Sequence, residues 1–410
     1  MWFKWWFKSF TWFAAIAMVV GKQVPCNHEN AMLLSKGPSY RFAMEVLHAM
    51  DFENDGHFVF SPLASWLQLM NVLEGASGYT QAEILKATGH HPNICYRRKL
   101  REVLNGLLGN ESRTEYKMNS LIIVDELLGV KKEFKEEVTK TKTLEVLALD
   151  FVHPNASAKT ANQLIEKKTD GVFKDMVFED DFEDTYFLTY DFANYKSAWM
   201  QSFDPLKTKM EVFYGPDGKA LGYVRMMNTV GQFYTANLPQ LNLNILELPS
   251  DKNNQVSMLV FLPQHPSPNS VFSNLNKTTM AGIFNSLKKE APKTVAVSLP
   301  KFEIETWSSP NEMMFDMGMK SMFYLDNAQL GGISKFKINV SMMLQFAAIE
   351  VTEGGVKAAS VTSGRGKRDL VQFKANHPFG FAIVDKKTEF ILFAGMYSGP
   401  RRADRLNETD

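Results

Sequence analysis

Apolar side chains recur along this chain with two periods, which separate predicted helices from predicted strands. Recurrence every three or four positions marks one face of a helix, and a short, nearly continuous apolar run marks a strand buried on both faces. The first pattern predicts helices over residues 40–50, 95–108, 155–177 and 311–318. The second predicts strands over residues 58–60, 116–125, 144–151, 187–199, 256–262, 338–351, 379–384 and 390–397. This interleaving predicts a mixed α/β (α+β) fold.

Two short motifs add local detail. Thr80 and Glu83 have the spacing of a capping box ahead of Ile84, which predicts that a helix begins at Thr80. The sequence GPDG at residues 215–218 predicts a turn between two strands.

A long polar segment interrupts the pattern between the strands predicted at 338–351 and 379–384. A loop of this length inside a compact domain is usually functional or disordered. Small or uncharged side chains share one face of its first half if the backbone is extended: Val356, Ala358, Ser360 and Thr362. Its second half is basic, with the sequence RGKR at 365–368. We therefore predict an exposed loop, about residues 353–372, that could become a strand and that offers a protease basic side chains.

The composition is that of an ordinary globular protein, with 45% hydrophobic and 22% charged residues among 410. The 45 basic residues balance the 45 acidic residues, which gives no indication of a nucleic-acid partner. Internal repeats and linker-like breaks are absent from the sequence. We expect one large monomeric domain over residues 22–410, ending in a polar tail at 401–410.

The N-terminus has the pattern of a secretory signal peptide. Lys4 and Lys8 precede an uncharged run, residues 9–21, that is too short to span a bilayer. We favour a signal peptide over residues 1–21 and an extracellular, secreted protein over the alternative, a short aromatic membrane anchor. Glycan acceptor triplets fit a secreted glycoprotein, and they begin at Asn110, Asn155, Asn276, Asn339 and Asn407. Among them Asn339 falls in a predicted strand, where a glycan would not fit.

The two cysteines, Cys26 and Cys95, could form one disulfide or stay free. Motifs for catalysis, metal binding or cofactor binding are absent from the sequence. We therefore expect neither enzymatic activity nor a cofactor or metal.

Several segments resemble the serpin family. EVTEGGVKAAS at 350–360 is similar to the serpin hinge, and FKANHPFGFAIV at 373–384 is similar to the C-terminal signature of the family. FVFSPLASWLQLM at 58–70 and the order of the later strands match as well, so the resemblance extends from about Ser39 to Pro400. It implies helices packed on three β-sheets and an exposed reactive-centre loop. It also implies that a protease cleaves the loop, which then inserts into the central sheet.

The resemblance assigns the hinge residues of this loop. They are Glu353, Gly354, Gly355, Val356, Lys357, Ala358, Ala359 and Ser360. Small side chains impose little steric or desolvation cost on insertion. Val356 stands where Thr is common in the family, and Lys357 replaces a usual Glu but would point outward.

A second set of positions corresponds to a polar cluster beneath the family's central sheet, and we call it the gate. Ser61 keeps one serine of that cluster, whereas Ala64 replaces the other. Asp191 stands at the family's Asn, and Gln345 stands at its His. If it is buried, the Asp191 carboxyl needs hydrogen-bond donors or must take up a proton.

The basic motif provides the predicted bait. We place the reactive bond between Arg368 and Asp369, with Lys367 and Arg365 as alternatives. RGKR resembles the recognition motif of furin-like convertases, whose acid-lined clefts need several basic residues in register, whereas trypsin-like clefts need one. The residue count from Glu353 places the family's usual reactive bond after Asp369, one position later. The loop could therefore also be cut as a substrate before it traps the protease.

Four basic residues cluster in the helix predicted at 95–108: Arg97, Arg98, Lys99 and Arg101. In some serpins the corresponding helix binds heparin, so a glycosaminoglycan site is possible here. A solvated helix face is the favoured alternative.

The function that the resemblance implies is suicide inhibition of a serine protease that cleaves after basic residues. The alternative is a non-inhibitory serpin that acts as a carrier or an extracellular binding protein.

Overall fold

A computed structural model describes residues 24–108, 116–250, 254–265, 271–354 and 370–400. Its helices are α1 His28–Glu53, α2 Pro62–Gly75, α3 Gly78–Thr88, α4 Ile94–Leu108, α5 Lys132–Val138, α6 Pro154–Lys168, α7 Val271–Leu275, α8 Met280–Leu287 and α9 Asn311–Asp316. Its strands are β1 Phe58–Phe60, β2 Tyr116–Asp125, β3 Leu144–Leu149, β4 Phe187–Lys196, β5 Lys209–Tyr214, β6 Ala220–Phe233, β7 Thr235–Leu238, β8 Leu243–Pro249, β9 Val256–Pro263, β10 Lys293–Pro300, β11 Phe302–Ser308, β12 Met342–Val351, β13 Val371–Lys374, β14 Phe379–Asp385 and β15 Ile391–Tyr397.

The strands of the described residues form three sheets, as the mixed α/β prediction with three sheets requires. One sheet has six strands in the order β1-β15-β14-β9-β8-β7, and another has four in the order β13-β10-β6-β5. The third has five strands in the order β11-β12-β4-β2-β3, and we call it the central sheet. The sequence GPDG at 215–218 joins β5 to β6, as predicted.

The core has two parts. The larger cluster packs α1 and α2 against the sheets and includes Trp66, Leu69 and Phe393, which are fully buried. The smaller one lies between α6 and the outer face of the central sheet. Both faces of the central sheet are therefore covered by apolar side chains, which explains why its strands read as continuous apolar runs.

Two predicted helices have different bounds in the structure. α1 begins at His28 rather than at residue 40, because Asn27 caps it: its side-chain oxygen accepts a hydrogen bond from the Asn30 backbone N–H at 2.8 Å. α6 ends at Lys168 rather than at residue 177. Asp170 and Gly171 follow with positive φ angles of 52° and 75°, which end the helical path.

The capping box predicted at Thr80 and Glu83 is wrong. α3 begins at Gly78, and the Thr80 hydroxyl contacts that of Ser321 at 2.8 Å. The Glu83 carboxylate accepts hydrogen bonds from the backbone N–H groups of Lys320 and Ser321, at 3.0 and 2.8 Å. Both side chains therefore tie α3 to a distant segment instead of capping their own helix.

Cys26 and Cys95 form a disulfide that ties the segment before α1 to the first turn of α4. Within the described ranges, no helix is long and apolar enough to cross a membrane. The predicted signal peptide and the tail at 401–410 lie outside the described residues.

Candidate functional site

In the central sheet, the neighbouring strands β4 and β12 pair in a parallel ladder. We call this ladder the seam. Its register runs from Met342 opposite Leu188 to Glu350 opposite Lys196. On the outer face, the rings of Phe192 and Phe346 stack across the seam with centroids 5.3 Å apart. The chain leaves β12 at Val351, at the end of the seam. A strand that turned back from this point would run antiparallel to both β4 and β12.

The first residues of the predicted hinge are bound at this end of the seam. The Trp199 indole N–H donates to the Thr352 carbonyl at 2.6 Å, and the Trp199 backbone N–H donates to the Gly354 carbonyl at 3.1 Å. The Phe203 N–H donates to the Glu353 carbonyl at 3.2 Å. Residues that follow β4 therefore hold the backbone that follows β12.

The Glu353 side chain strengthens this attachment. Its carboxylate accepts hydrogen bonds from the Thr208 hydroxyl and from the Lys301 ammonium group, each at 2.8 Å. Burial acts to raise the pKa of the Glu353 carboxyl, but the hydrogen bonds, led by the one from Lys301, outweigh it and lower the pKa below its ordinary value. The side chain is therefore held as an anion at neutral pH.

The gate lies midway along the seam, beneath the central sheet. The Gln345 side chain accepts a hydrogen bond from the Ser61 N–H at 2.6 Å and donates to the Ser61 carbonyl at 3.0 Å. It also donates to the Ser65 hydroxyl at 3.0 Å. Ala64 adds a backbone N–H that donates to the Ser61 hydroxyl at 3.2 Å. The structure thus brings Ser61 and Gln345 together as predicted, and β12 is fastened to α2.

Ser65 is a gate residue that the sequence reasoning missed. Its hydroxyl replaces the hydroxyl lost at Ala64, one position along α2, and it is fully buried. A polar residue inside an otherwise apolar helix segment was the available signal, because buried hydroxyl groups in such a segment need partners.

Asp191 is buried in the central sheet, opposite Gln345 on β12 and Ser120 on β2. The Ser120 hydroxyl donates to its carboxyl group at 2.6 Å. Burial raises the pKa of Asp191 to about 7, and the hydrogen bond from Ser120 offsets only part of that shift. From the sequence we expected that a buried Asp191 carboxyl would need hydrogen-bond donors or take up a proton. The structure provides one hydrogen-bond donor and a strongly raised pKa.

The basic cluster of α4 does not form an exposed patch. Arg97 and Arg101 are buried, at 5% and 2% exposure, which contradicts both the polyanion site and the solvated helix face for these two residues. Arg97 binds Glu74 at 2.9 Å, and Arg101 binds Glu137 at 2.8 Å and Glu74 at 3.5 Å.

The other two members of the cluster, exposed Arg98 and half-buried Lys99, also have carboxylate partners, since Arg98 binds Glu137 and Lys99 binds Glu102, each at 2.9 Å. Burial raises the pKa of Glu137, but hydrogen bonds from Arg98 and Lys140 and the charge of Arg101 lower it to about 2. The cluster is therefore largely neutralised by its own neighbours.

Three glycan acceptors lie in the described residues. Asn155 and Asn276 are exposed, although the Asn155 side-chain N–H also donates a hydrogen bond, to the Glu179 carboxylate. Asn339 is half-buried and donates its side-chain N–H to the Phe323 carbonyl at 3.0 Å. It lies before β12 rather than inside a strand, but this hydrogen bond opposes glycosylation in the folded protein. Asn110 and Asn407 lie outside the described residues.

The predicted bait (Arg365, Lys367, Arg368 and Asp369) and the hinge positions Gly355, Val356, Lys357, Ala358, Ala359 and Ser360 lie outside the described residues and stay predictions. The described chain enters this segment at Gly354 and leaves it at Leu370. Among described residues, no group of three or more His, Cys, Asp or Glu side chains could hold a metal ion.

A comparison with family models matches residues 38–400 to the model described as "Serpin (serine protease inhibitor)". The chain belongs to the serpin family. The resemblance first seen in the hinge and C-terminal motifs is therefore confirmed.

Individual relatives agree over nearly the whole domain. Serpin B5 of Rattus norvegicus is 28% identical over 369 residues, which cover 88% of this chain and 97% of the relative. Serine protease inhibitor 88Ea of Drosophila melanogaster is 28% identical over 385 residues, which cover 88% of this chain and 89% of the relative. A crystal structure of maspin superimposes with a TM-score of 0.82 at 25% identity and covers 90% of this chain and all of that one.

Proposed function

We propose that this serpin is a secreted suicide-substrate inhibitor of a serine protease that cleaves after basic residues. One observation carries the proposal: the start of the predicted reactive loop is fixed at the end of the parallel ladder between β4 and β12, inside the central sheet. The loop is therefore attached where a returning strand would enter the seam. A relative named a serine protease inhibitor supports the same class of activity.

In the proposed reaction, Arg368 occupies the primary pocket of the protease. The catalytic serine attacks its carbonyl carbon, the bond to Asp369 breaks, and the amine of Asp369 leaves after accepting a proton. An acyl-enzyme remains on Arg368. Residues 353–363 then enter the seam and replace one parallel ladder with two antiparallel ladders, which are slightly more stable per residue. The protease is carried along and held as the acyl-enzyme.

The bait sequence determines the proposed target class. RGKR suits a furin-like convertase first and a trypsin-like protease second. Cleavage after Lys367 or Arg365 would indicate a trypsin-like target, because one basic residue is then enough.

Two structural features support secretion. A disulfide joins Cys26 to Cys95, and stable disulfides are typical of oxidising, extracellular compartments. The acceptor residues Asn155 and Asn276 are exposed. Glycosaminoglycan binding through α4 is not part of the proposal, because Arg97 and Arg101 are buried. The protein itself would need no cofactor and perform no catalysis.

The first test is incubation of the mature protein with a furin-type convertase and, separately, with trypsin. The products are separated on a denaturing gel, and any released peptide is sequenced from its N-terminus. We expect a detergent-stable complex and a peptide that begins at Asp369. A peptide that begins at another residue would show that the reactive bond lies at another position. Cleavage without any complex would contradict inhibition.

Two matched variants separate cleavage from insertion. Ala358 belongs to the face of the loop that would enter the sheet, and Ala359 belongs to the opposite face. We expect Ala358→Arg to convert the inhibitor into a cleaved substrate, because a charged side chain would have to be buried. Ala359→Arg should still form the complex. Equal behaviour of the two variants would contradict the proposed insertion.

The alternative is a non-inhibitory serpin that binds or carries a partner. The gate favours it, because Asp191 buries a carboxyl group in the sheet that must open. Clean cleavage of the wild-type loop without a complex would support this alternative.

A further inference from the structure

Asp191 lies on one of the two strands that would separate in the proposed insertion. It belongs to β4, and its neighbour across the seam is Gln345 on β12. Its side chain points to the inner face of the central sheet, because Tyr190 and Phe192 on either side of it belong to the core cluster on the outer face. The carboxyl group is therefore buried beneath the sheet, and only 3% of the residue is exposed.

The polar groups around this carboxyl group are uncharged. The Ser120 hydroxyl on β2 donates to it at 2.6 Å. The amide nitrogen of Gln345 donates instead to the Ser61 carbonyl and to the Ser65 hydroxyl, each at 3.0 Å. The neighbouring side chain across the seam is therefore directed to α2 and away from the Asp191 carboxyl group.

The charged side chains of the elements packed against Asp191 lie elsewhere. On the inner face the titratable groups of β2 and β4 are the phenols of Tyr116 and Tyr195, which contact the Leu107 carbonyl and the Ser250 hydroxyl. β1 has no charged residue. The charged groups of β2, β4, β12 and α2 have partners of their own: Lys117 with Asp170, Asp125 with the Leu127 N–H, Lys196 with Glu350, and Glu74 with Arg97 and Arg101. Within the described residues, an ionised Asp191 would thus face no cation.

Separation of β4 from β12 would expose the carboxyl group to water. In the closed sheet, burial raises the pKa of Asp191 to about 7, whereas an exposed aspartate has a pKa of about 4. Opening therefore releases a proton at pH values between these two. Its free-energy cost falls as the pH rises from about 4 to about 7, and it stays constant above that pH.

We propose that Asp191 makes opening of the central sheet pH-dependent, so that the sheet stays closed while its carboxyl group is protonated and opens more readily once the group is ionised. This inference rests on the proposed function, because the opened sheet is the one that would admit the loop. It adds a regulatory step to that function: a protease would be trapped more efficiently at neutral pH than in acidic surroundings.

Hydrogen–deuterium exchange of the full-length protein between pH 5 and pH 8 measures opening without the loop. Rates are corrected for the intrinsic pH dependence of amide exchange. We expect the amides of β4 and β12 to open more often than those of β14 and β15, and their opening constant to rise about tenfold or more between pH 5 and pH 7 before it levels off. Opening that is independent of pH, or that occurs only together with β14 and β15, would overturn the proposal.

Three variants assign the titrating group. Asp191→Asn should open as rarely at every pH as the wild type does near pH 4, because its amide stays neutral. Asp180→Asn removes an exposed carboxylate and should keep the pH profile of the wild type. Ser120→Ala should move the levelling to a higher pH, because the ionised carboxyl group loses its donor. A pH profile that persists in Asp191→Asn, or that Ser120→Ala leaves in place, would show that another group titrates.

The link to inhibition is measured with trypsin at pH 6 and pH 8. The wild type and Asp191→Asn are compared at the same pH, so that the pH dependence of the protease itself cancels. We expect the ratio of complexed to cleaved serpin in the wild type, relative to the variant, to be larger at pH 8 than at pH 6, by up to about tenfold. An equal ratio at both pH values would overturn the regulatory step. Absence of any complex would overturn the proposed inhibition instead, and the exchange measurement would still decide whether opening depends on pH.

Discussion

At the scale of single residues, Asp191 is the ionisable side chain of the gate. It is a buried carboxyl group in the central sheet, which would open in the proposed insertion, and Ser120 donates one hydrogen bond to it. Its pKa in the folded protein is about 7, well above that of an exposed aspartate. The folded protein therefore holds the proton more tightly than the unfolded chain does. The stability that this gives is complete below about pH 4 and is lost as the pH rises to about 7.

We predict that Asp191→Asn stabilises the protein at pH 8 and has little effect at pH 4. The side-chain amide of this variant stays neutral and therefore avoids the cost of a buried charge. At about 1.4 kcal/mol for each pKa unit, this cost is up to a few kcal/mol. Urea unfolding of both proteins across this pH range measures the difference. A difference that does not change with pH would show that Asp191 is not the titrating group.

Arg101 is the residue whose role the sequence misrepresented most. A charged residue in an amphipathic helix normally lies on the solvated face, but Arg101 is 2% exposed and contacts both Glu74 and Glu137. These carboxylates come from α2 and α5, so their arrangement around α4 depends on tertiary packing.

We predict that Arg101→Met lowers the free energy of unfolding by about 3 kcal/mol, because it leaves buried carboxylates with one partner fewer. Lys99→Met is the matched control. It removes a surface pair with Glu102 and should cost less than about 1 kcal/mol. Chemical denaturation at pH 7 compares them, and equal losses would contradict a structural role for the buried ion pairs.

At the scale of elements, α4 is held to the start of α1 and to the segment before it by several contacts. Cys95 is bonded to Cys26, the Tyr96 hydroxyl donates to the Val24 carbonyl, and His28 contacts Glu102. The sequence left this disulfide open, since two cysteines can pair only if the fold brings them together. The longer α1 places Cys26 beside α4.

We predict that Cys26→Ala/Cys95→Ala lowers stability by about 2–4 kcal/mol, because the unfolded chain loses a cross-link. The remaining contacts should keep the fold, so the circular dichroism spectrum should stay unchanged. Thermal unfolding in the absence of reductant measures the loss. A melting temperature equal to that of the wild type would contradict it.

Other elements show where local reasoning succeeded and where it failed. The eight strands predicted from apolar runs are present because such runs are local and strong, although β12 begins at Met342 rather than at residue 338. The capping box at Thr80 failed because Ser321 and Gln329, which are distant in sequence, compete for the same hydroxyl. Ser65 was missed because only packing shows that Gln345 reaches it.

At the scale of the whole molecule, the paired strands of the seam determine how cleavage of the loop should change the stability of the protein. In the proposed insertion, the parallel ladder of β4 and β12 would separate to admit the loop, and the inserted strand would add hydrogen bonds and buried area. The intact protein would be metastable, and its stability would limit its activity.

We predict that cleavage within the reactive loop raises the melting temperature by tens of degrees. An added strand should stabilise the protein by several kcal/mol, which is more than any single contact, and each kcal/mol raises the melting temperature by about 2–4 °C. Differential scanning calorimetry before and after limited trypsin digestion measures the shift. The Ala358→Arg variant, cut in the same way, should gain much less. An unchanged melting temperature of the cleaved wild type would contradict insertion.

The sequence by itself determined the family, the mixed α/β class and the positions of the main strands along the chain. These follow from local periodicity and from motifs that are contiguous in the chain. Only the tertiary structure decided that Ser65 completes the gate, that Arg97 and Arg101 are buried ion-pair partners and that Cys26 reaches Cys95. Each of these depends on residues from separate elements, and their distances are set by packing rather than by spacing along the chain.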